Sequence, residues 1–242
     1  MEQQIDEAAR MGCSVIVFPE MATVGYLPPE DLPDLAEPVD GPSISRIRKV
    51  CADSGVGAVV GFPELEPKRG VRHNSFVFIG GSGDVHGVYR KIHLWDTEAE
   101  WAEAGSEVPV FTDNETSYSG WICFDTRFPE IGRLAFLQGV DVCFVPTAWL
   151  GPAVEWELSL RARALEGSCF VAGSDLINTL PGLECRGHSM IIGPYGNILN
   201  RAQTMTECVI DAVLDPREME RQRTRLRILE SRRPELYRPL GS

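Results

Sequence analysis

Short continuous apolar runs alternate with helical segments along this chain, and this alternation constrains the fold more than any other feature. The runs SVIVF (14–18) and GAVVGF (57–62) lack the polar alternation of a half-exposed strand, so we expect buried strands. Between them, SISRIRKVCADSG (43–55) predicts a helix with Ser43 at its N-cap and Gly55 at its end. Strands and helices in alternation predict an α/β fold.

The rest of the chain continues this pattern. Residues 74–80 and 87–91 flank the turn residues GSGD, which predicts a hairpin. We expect further strands at 121–124, 140–146, 169–175 and 207–214, two strands about a PYGN turn within 189–199, and further helices at 2–12, 128–139 and 156–167. No linker divides residues 1–214, which we predict to be one domain with a mixed sheet or two packed sheets.

The last segment, residues 215–242, differs in charge from the rest. Its stretch 215–240 holds eight arginines against five acidic residues, a net charge of +3 within a chain whose formal net charge is −12. The segment is either a solvated helical tail or a tail that docks on the acidic domain of its own chain or of a partner subunit. We favour docking.

Composition excludes several classes of function. The net charge of −12 disfavours binding to a phosphate backbone, so we expect no nucleic-acid partner. No apolar run of about 18 residues predicts a membrane span, and the polar start is unlike a signal peptide, so we predict a cytoplasmic protein. The seven widely spaced cysteines, with no CxxC pair and four scattered histidines, predict neither a disulfide framework nor a metal site.

Three apolar runs end in residues that can carry chemistry. VIVFPE ends at Glu20, GVYRK at Lys91, and GWICFD contains Cys123. The carboxyl ends of strands converge on the ligand crevice of open α/β sheets, where these side chains would form a base, an oxyanion-stabilising cation and a nucleophile. Lys91 is one of only three lysines among 23 basic residues. An ammonium group whose pKa can shift supports chemistry that guanidinium does not.

Each of these residues also has a structural interpretation. A cysteine in an apolar run is usually a small buried hydrophobe, Glu20 could cap the turn after its strand, and Lys91 could be a solvated strand end. Taken alone, Cys123 would also suit a redox-sensing thiol protein, although no resolving-cysteine motif accompanies it.

The order of the motifs distinguishes these interpretations, because the chain resembles the nitrilase superfamily of carbon–nitrogen hydrolases from about residue 2 to residue 240. VIVFPE, YRKIHLWD and GWICFDTRFPE resemble the family's glutamate, lysine and cysteine motifs. The blocks GVDVCFVPTAW, RARALEGSCFVAGSD and GHSMIIGPYGNIL also resemble family blocks, in family order.

The resemblance implies a four-layer α-β-β-α sandwich and a Glu20–Lys91–Cys123 triad that works without a metal or an organic cofactor. Cys123 would attack the amide carbon while Glu20 acts as general base, and the oxyanion would be held by Lys91 and the backbone N–H of Phe124. Family members usually form homodimers or larger assemblies, so we expect a homo-oligomer in which the Arg-rich tail crosses the interface.

Further residues are expected to position the substrate. Many family members have a second glutamate after the lysine, and the match to the family's WD-x-E string favours Glu98, with Glu100 as the alternative. Arg127 could bind a substrate carboxylate or form a structural salt bridge. Trp149 could line the pocket or belong to the core.

Two features shape the predicted function. Phe124–Asp125 follows the cysteine where true nitrilases usually carry Trp-Glu, which favours the amidase and carbamoylase branches. We therefore predict hydrolysis of a small carboxamide to an acid and ammonia, with N-carbamoyl compounds as the alternative substrates. The family also normally begins with a strand ahead of the helix with which this chain starts. We therefore expect a sheet without that strand, and a non-catalytic binding protein is the further alternative.

Overall fold

The computed structural model describes residues 1–180, 183–203 and 205–237, so the last five residues of the predicted tail, 238–242, lie outside the described residues. The helices are α1 (Glu2–Met11), α2 (Leu32–Leu35), α3 (Pro42–Ser54), α4 (Pro129–Phe136), α5 (Ala153–Gly167), α6 (Pro216–Leu226) and α7 (Pro234–Tyr237). The strands are β1 (Val15–Val17), β2 (Gly57–Glu66), β3 (Val71–Ile79), β4 (Val85–Arg90), β5 (Phe111–Asp113), β6 (Thr116–Gly120), β7 (Val142–Thr147), β8 (Phe170–Asp175), β9 (Ile177–Leu180), β10 (Leu183–Arg186), β11 (Met190–Ile192) and β12 (Ile198–Arg201). Two 3-10 turns span Asp96–Glu100 and Cys123–Arg127.

The strands form two main sheets and a separate hairpin. The first sheet has the order β1-β2-β3-β4, with β1 parallel to β2 and the other pairs antiparallel. The second has the order β12-β11-β8-β7-β6-β5 and is parallel across its centre, from β6 to β8. Strands β9 and β10 pair only with each other among the described strands. The predicted hairpin over residues 74–80 and 87–91 is confirmed as β3 and β4.

Alternate side chains of the first sheet point into two different cores. Phe76 and Phe78 of β3 pack with residues of the second sheet such as Phe144, whereas Val77 and Ile79 pack with α1 and α3. Helices α4 and α5 cover the outer face of the second sheet. Each fully buried side chain of this size contributes about 1.5–3 kcal/mol of transfer free energy, so both faces of each sheet are stabilised by burial. The predicted four-layer α-β-β-α sandwich is therefore confirmed.

Two predicted strands are wrong. Residues 121–124 do not form the expected strand, because β6 ends at Gly120. The Asp125 carboxylate accepts the Ile122 N–H and draws the chain into a 3-10 turn. The segment 207–214 forms no strand in the structure. Its residues Val209 and Ile210 line a groove together with the outer strand β1, and no described strand pairs with them.

Part of the Arg-rich tail contacts its own domain. Met219 and Gln222 of α6 are buried, and Arg223 donates to the Asp141 carboxylate at 3.0 Å and to the Val140 carbonyl at 2.6 Å. The division at residue 214 and docking on a partner subunit stay predictions. No helix within the described ranges is both long enough and apolar enough to span a bilayer.

Candidate active site

Glu20 lies in a turn just after β1, and a close backbone approach holds that turn against the sheet. A Cβ at Gly61 of β2 would stand only 2.4 Å from the Pro19 carbonyl oxygen and 2.8 Å from the Cα of Glu20. Only glycine permits this approach. The Glu20 side chain is completely buried, so it needs polar partners within the protein.

Those partners satisfy both oxygens of the Glu20 carboxylate. Oε1 accepts from Lys91 Nζ at 2.8 Å and from Asn74 Nδ2 at 2.7 Å. Oε2 accepts from the backbone N–H of Ala148 at 2.9 Å. The three donors come from the end of β4, from β3 and from the residue after β7, so Glu20 joins the two sheets.

Glu98 is the second carboxylate of the cluster. The 3-10 turn Asp96–Glu100 buries it, and its carboxylate accepts from Lys91 Nζ at 2.8 Å, Asn74 Nδ2 at 2.9 Å and the Trp95 N–H at 2.8 Å. Glu100 is exposed on the same turn. The geometry therefore brings Glu98, and not Glu100, to the predicted triad.

Asn74 is a site residue that the sequence analysis missed. Its Nδ2 donates to Glu20 and Glu98 at once, as Lys91 Nζ does, so two donors bridge the same two carboxylates. A lone asparagine at the start of an apolar run gives no sequence signal. Only the pairing of β3 with β4 shows it beside Lys91, whose N–H donates to the Asn74 carbonyl at 2.8 Å.

Charges in this cluster shift the ionisation of its members. Burial opposes the charge of Lys91, but attraction by Glu20 and Glu98 outweighs it and raises the pKa of the ammonium group well above its ordinary value. Burial raises the pKa of Glu98, and repulsion by Glu20 adds to this, while Lys91 opposes it. The charged ammonium thus stabilises two neighbouring carboxylates that would otherwise repel each other.

Cys123 starts the second 3-10 turn in an unusual conformation. Its φ of 45° lies in the left-handed region, which non-glycine residues seldom adopt. The sulfur donates to the Ala148 carbonyl at 3.8 Å, next to the N–H that binds Glu20. Burial raises the pKa of the Cys123 thiol well above its ordinary value, Glu20 adds to this, and Lys91 opposes it. The resting group is therefore a thiol, which needs a base before it can attack.

Asp125 holds the turn that carries Cys123. It is fully buried; Oδ2 accepts from Tyr89 Oη at 2.7 Å and from the Ile122 N–H at 3.2 Å, and Oδ1 accepts from the His93 N–H at 2.8 Å. His93 also stacks on Phe128, with ring centroids 3.6 Å apart. Asp125 thus fixes the cysteine turn to the segment that follows Lys91.

The remaining predicted residues surround this turn. Phe124 is partly buried, and its N–H makes no hydrogen bond to any residue that the structure describes. Arg127 is exposed, pairs with Glu155 and lies over the Trp149 ring at 4.8 Å. Trp149 is almost fully buried beside Trp156, so it contributes to the core as well as to the edge of the site. No group of histidine, cysteine and acidic side chains suited to a metal ion occurs within the described ranges.

Comparisons with known proteins agree on one family. A family model described as carbon-nitrogen hydrolase matches residues 1–224. A probable nitrilase of Schizosaccharomyces pombe is 35% identical over 233 residues, which cover 95% of this chain and 86% of that protein. A 2-oxoglutaramate amidase of Bacillus subtilis is 33% identical over 229 residues, which cover 92% and 86%.

A solved structure shows the same fold. It is a Glu-to-Gln mutant of an amidase from Nesterenkonia, in which acrylamide has undergone Michael addition at the active-site cysteine. It superposes with a TM-score of 0.83 at 25% identity, and the match covers 99% of this chain and 91% of that one.

Proposed function

The chain belongs to the carbon–nitrogen hydrolase family of the nitrilase superfamily, and we propose that it hydrolyses the C–N bond of a small carboxamide to a carboxylic acid and ammonia. One observation carries the proposal: buried Glu20 is oriented by Lys91, Asn74 and Ala148, and Ala148 also contacts the sulfur of Cys123. A base and a thiol held on either side of Ala148, with a cation bound to the base, suit nucleophilic catalysis.

In the first half-reaction, Glu20 removes the thiol proton as the Cys123 sulfur attacks the amide carbon. The base is required because burial keeps the thiol protonated at rest. Lys91 has three N–H donors, of which Glu20 and Glu98 each take one, so the third can bind the developing oxyanion. The Phe124 N–H, which has no partner among the described residues, supplies a second donor.

The proton on Glu20 then passes to the leaving nitrogen, ammonia departs, and a thioester joins the acyl group to Cys123, which completes the first half-reaction. In the second half-reaction, a water molecule gives a proton to Glu20 and attacks the thioester carbon. The carboxylic acid leaves, and Glu20 returns the proton to the sulfur. The sum is one amide plus one water giving one acid plus one ammonia. Glu98 and Asn74 hold Glu20 and Lys91 in position through both half-reactions.

Arg127 and one of the named relatives support a proposal for the substrate class. One relative acts on 2-oxoglutaramate, a small primary amide with a carboxylate at its far end. In this chain the Arg127 guanidinium lies over Trp149 and pairs with Glu155, and both members of the pair are about 40% exposed. Exposed ion pairs contribute little free energy, so a substrate carboxylate can replace Glu155 on Arg127. We therefore favour amides that carry a distal carboxylate.

We also propose that two copies pair through the outer helices. Large apolar side chains stand exposed on α4, on the residue that follows it and on α5, each at least 42% accessible: Leu134, Leu137, Val154, Leu158 and Leu165. Apolar groups clustered on one helical layer are typical of subunit interfaces. The Arg-rich face of α6 is the candidate for polar contacts at its margin.

Ammonia release from a panel of amides tests the function. The panel contains a short amide with a distal carboxylate, its neutral analogue, an N-carbamoyl amino acid and a nitrile. We expect the carboxylate-bearing amide to react fastest and Cys123→Ala to release no ammonia. Cys208→Ala is the matched control, because Cys208 is exposed and should leave the rate unchanged. Ammonia release by Cys123→Ala at the wild-type rate would refute the mechanism.

A further inference from the structure

Asp175, the last residue of β8, is a buried carboxylate with an unusual set of partners. Its Oδ1 accepts the Trp149 N–H at 2.9 Å and its Oδ2 accepts the His188 N–H at 2.9 Å. Its own N–H donates to Ser189 Oγ at 3.0 Å. No cation pairs with the carboxylate within the described ranges. Burying a carboxylate without a cation lowers the stability of the fold. Such groups cluster at functional sites, so the position of Asp175 at the edge of this site indicates a role in the reaction.

The contacts of Asp175 lead directly to the reacting groups. Trp149 follows Ala148, whose N–H donates to Glu20 Oε2 and whose carbonyl accepts from the Cys123 sulfur. On the side away from Glu20 and Cys123, next to the Asp175 contact, the Leu176 N–H donates to the Thr147 carbonyl at 3.0 Å. Residues 147–149 are thus fixed on one side by residues 175–176 and on the other by Glu20 and Cys123.

An ionised carboxylate suits both of the Asp175 contacts best. The Trp149 and His188 N–H groups belong to segments 39 residues apart, and each needs an acceptor oxygen. A carboxylate offers two charged acceptor oxygens, whereas an amide offers one acceptor and one donor, so one N–H would face a donor and lose its bond. Protonation turns one carboxylate oxygen into a hydroxyl group, which is a weaker acceptor, so one of the two hydrogen bonds weakens.

We propose that Asp175 is a positioning residue for the hydrolysis: by binding the Trp149 and His188 amides, it fixes Ala148 against Glu20 and Cys123. This inference rests on the proposed function for its activity test, since it assigns a support to the same site. Asp175 touches neither substrate nor the reacting atoms in the proposed mechanism and acts only through the peptide that joins Ala148 to Trp149.

A pH dependence follows from this geometry. Burial raises the pKa of Asp175 to about 7, the Trp149 and His188 N–H groups oppose this, and the charge of Glu20 adds to it. The titratable side chains that face it or adjoin its contacts are Glu20, Cys185 and His188. As pH falls through about 7, Asp175 takes up a proton, one of its two hydrogen bonds weakens, and activity should fall.

The test compares Asp175→Asn with wild type and with the matched variant Asp141→Asn. Asp141 lies just before β7, whereas Asp175 pairs with Thr147 at the far end of that strand. We expect Asp175→Asn to lower kcat by about 10- to 100-fold, the effect of small displacements in a site. Its kcat should also lack the step near pH 7 that we expect for wild type. Its thermal midpoint at pH 8 should not fall, since the variant removes an unpaired buried charge. Asp141→Asn should keep the wild-type kcat and the step.

The rate at which iodoacetamide alkylates Cys123 gives a readout that needs no substrate. Because only the thiolate is alkylated, this rate falls with pH in both proteins; in wild type it should show an additional step as pH drops through about 7, and Asp175→Asn should keep the slope but lack the step. The alkylation measurement therefore tests the proposal even if the protein hydrolyses no amide. If the variant does not fold, the wild-type alkylation profile still tests it. A wild-type alkylation rate without a step between pH 6 and 8, or an Asp175→Asn variant with wild-type kcat and step, overturns the proposal.

Discussion

Replacing Asn74 by alanine should disable the site although it changes no residue of the predicted triad. Its Nδ2 donates to Glu20 at 2.7 Å and to Glu98 at 2.9 Å, and both acceptors are buried carboxylates. Hydrogen bonds to charged groups contribute about 1.5–3 kcal/mol each. Lys91 donates to the same two groups and retains part of their orientation, so we expect the lower bound, a combined loss of about 3 kcal/mol. If this loss falls on the transition state, kcat drops by roughly 100-fold.

The assay is steady-state ammonia release, with the folded fraction of each sample measured by circular dichroism. Asn200→Ala is the matched control, because that side chain makes its hydrogen bonds at the surface, donating to the Asp211 carbonyl at 2.8 Å and accepting from the Arg201 N–H at 2.9 Å. The control should keep the wild-type kcat. If folded Asn74→Ala retained kcat within threefold of wild type, Asn74 would be a packing residue and the reasoning from its two hydrogen bonds would fail.

Three further predictions concern the surroundings of the site. Asp125→Ala leaves the Tyr89, His93 and Ile122 donors without their acceptor, so urea denaturation should show a loss of at least about 3 kcal/mol; an unchanged midpoint would contradict this. Glu155→Gln frees Arg127 and should lower KM for an amide with a distal carboxylate by about two- to fivefold, with KM for its neutral analogue unchanged; equal effects on both would exclude Arg127 as the carboxylate site. Leu158→Asp should convert a dimer to a monomer in light scattering, and a wild type that is already monomeric at micromolar concentration would contradict the proposed pairing.

The layers of the fold could be predicted from the sequence, because continuous apolar runs indicate strands buried on both faces. The order of the motifs predicts that Glu20, Lys91 and Cys123 lie in one site. The structure brings Glu20 and Lys91 into contact at 2.8 Å, and Glu20 also accepts from Ala148, whose carbonyl accepts from the Cys123 sulfur. Glu98 was favoured over Glu100 by a local string, and its burial agrees with that choice.

What the sequence did not predict depends on contacts between distant parts of the chain. Asn74 is 54 residues from Glu20, and Asp175 is 26 residues from Trp149, so no local pattern links these pairs. The end of β6 at Gly120 was missed for a related reason. The run WICF has the composition of a strand, but the Asp125 side chain captures the Ile122 N–H and ends the ladder.

The segment 207–214 shows a different limit. Its apolar run has the composition of a strand, but a strand forms only where another strand can share its hydrogen bonds. In the structure Val209 and Ile210 line a groove with β1, and the segment pairs with none of the described strands. The composition of a segment indicates its tendency to form a β-strand, whereas a strand forms only where neighbouring strands can pair with it.

The central claim is that Cys123 carries the acyl group during hydrolysis, and peptide mass mapping tests it most directly. The protein is mixed with a slowly hydrolysed carboxylate-bearing amide, quenched in acid within the first turnovers and digested. We predict that the acyl mass appears on the peptide containing Cys123 and is absent from Cys123→Ala. Ammonia release by a wild-type protein that carries the acyl mass on another cysteine, such as Cys208, would contradict the account.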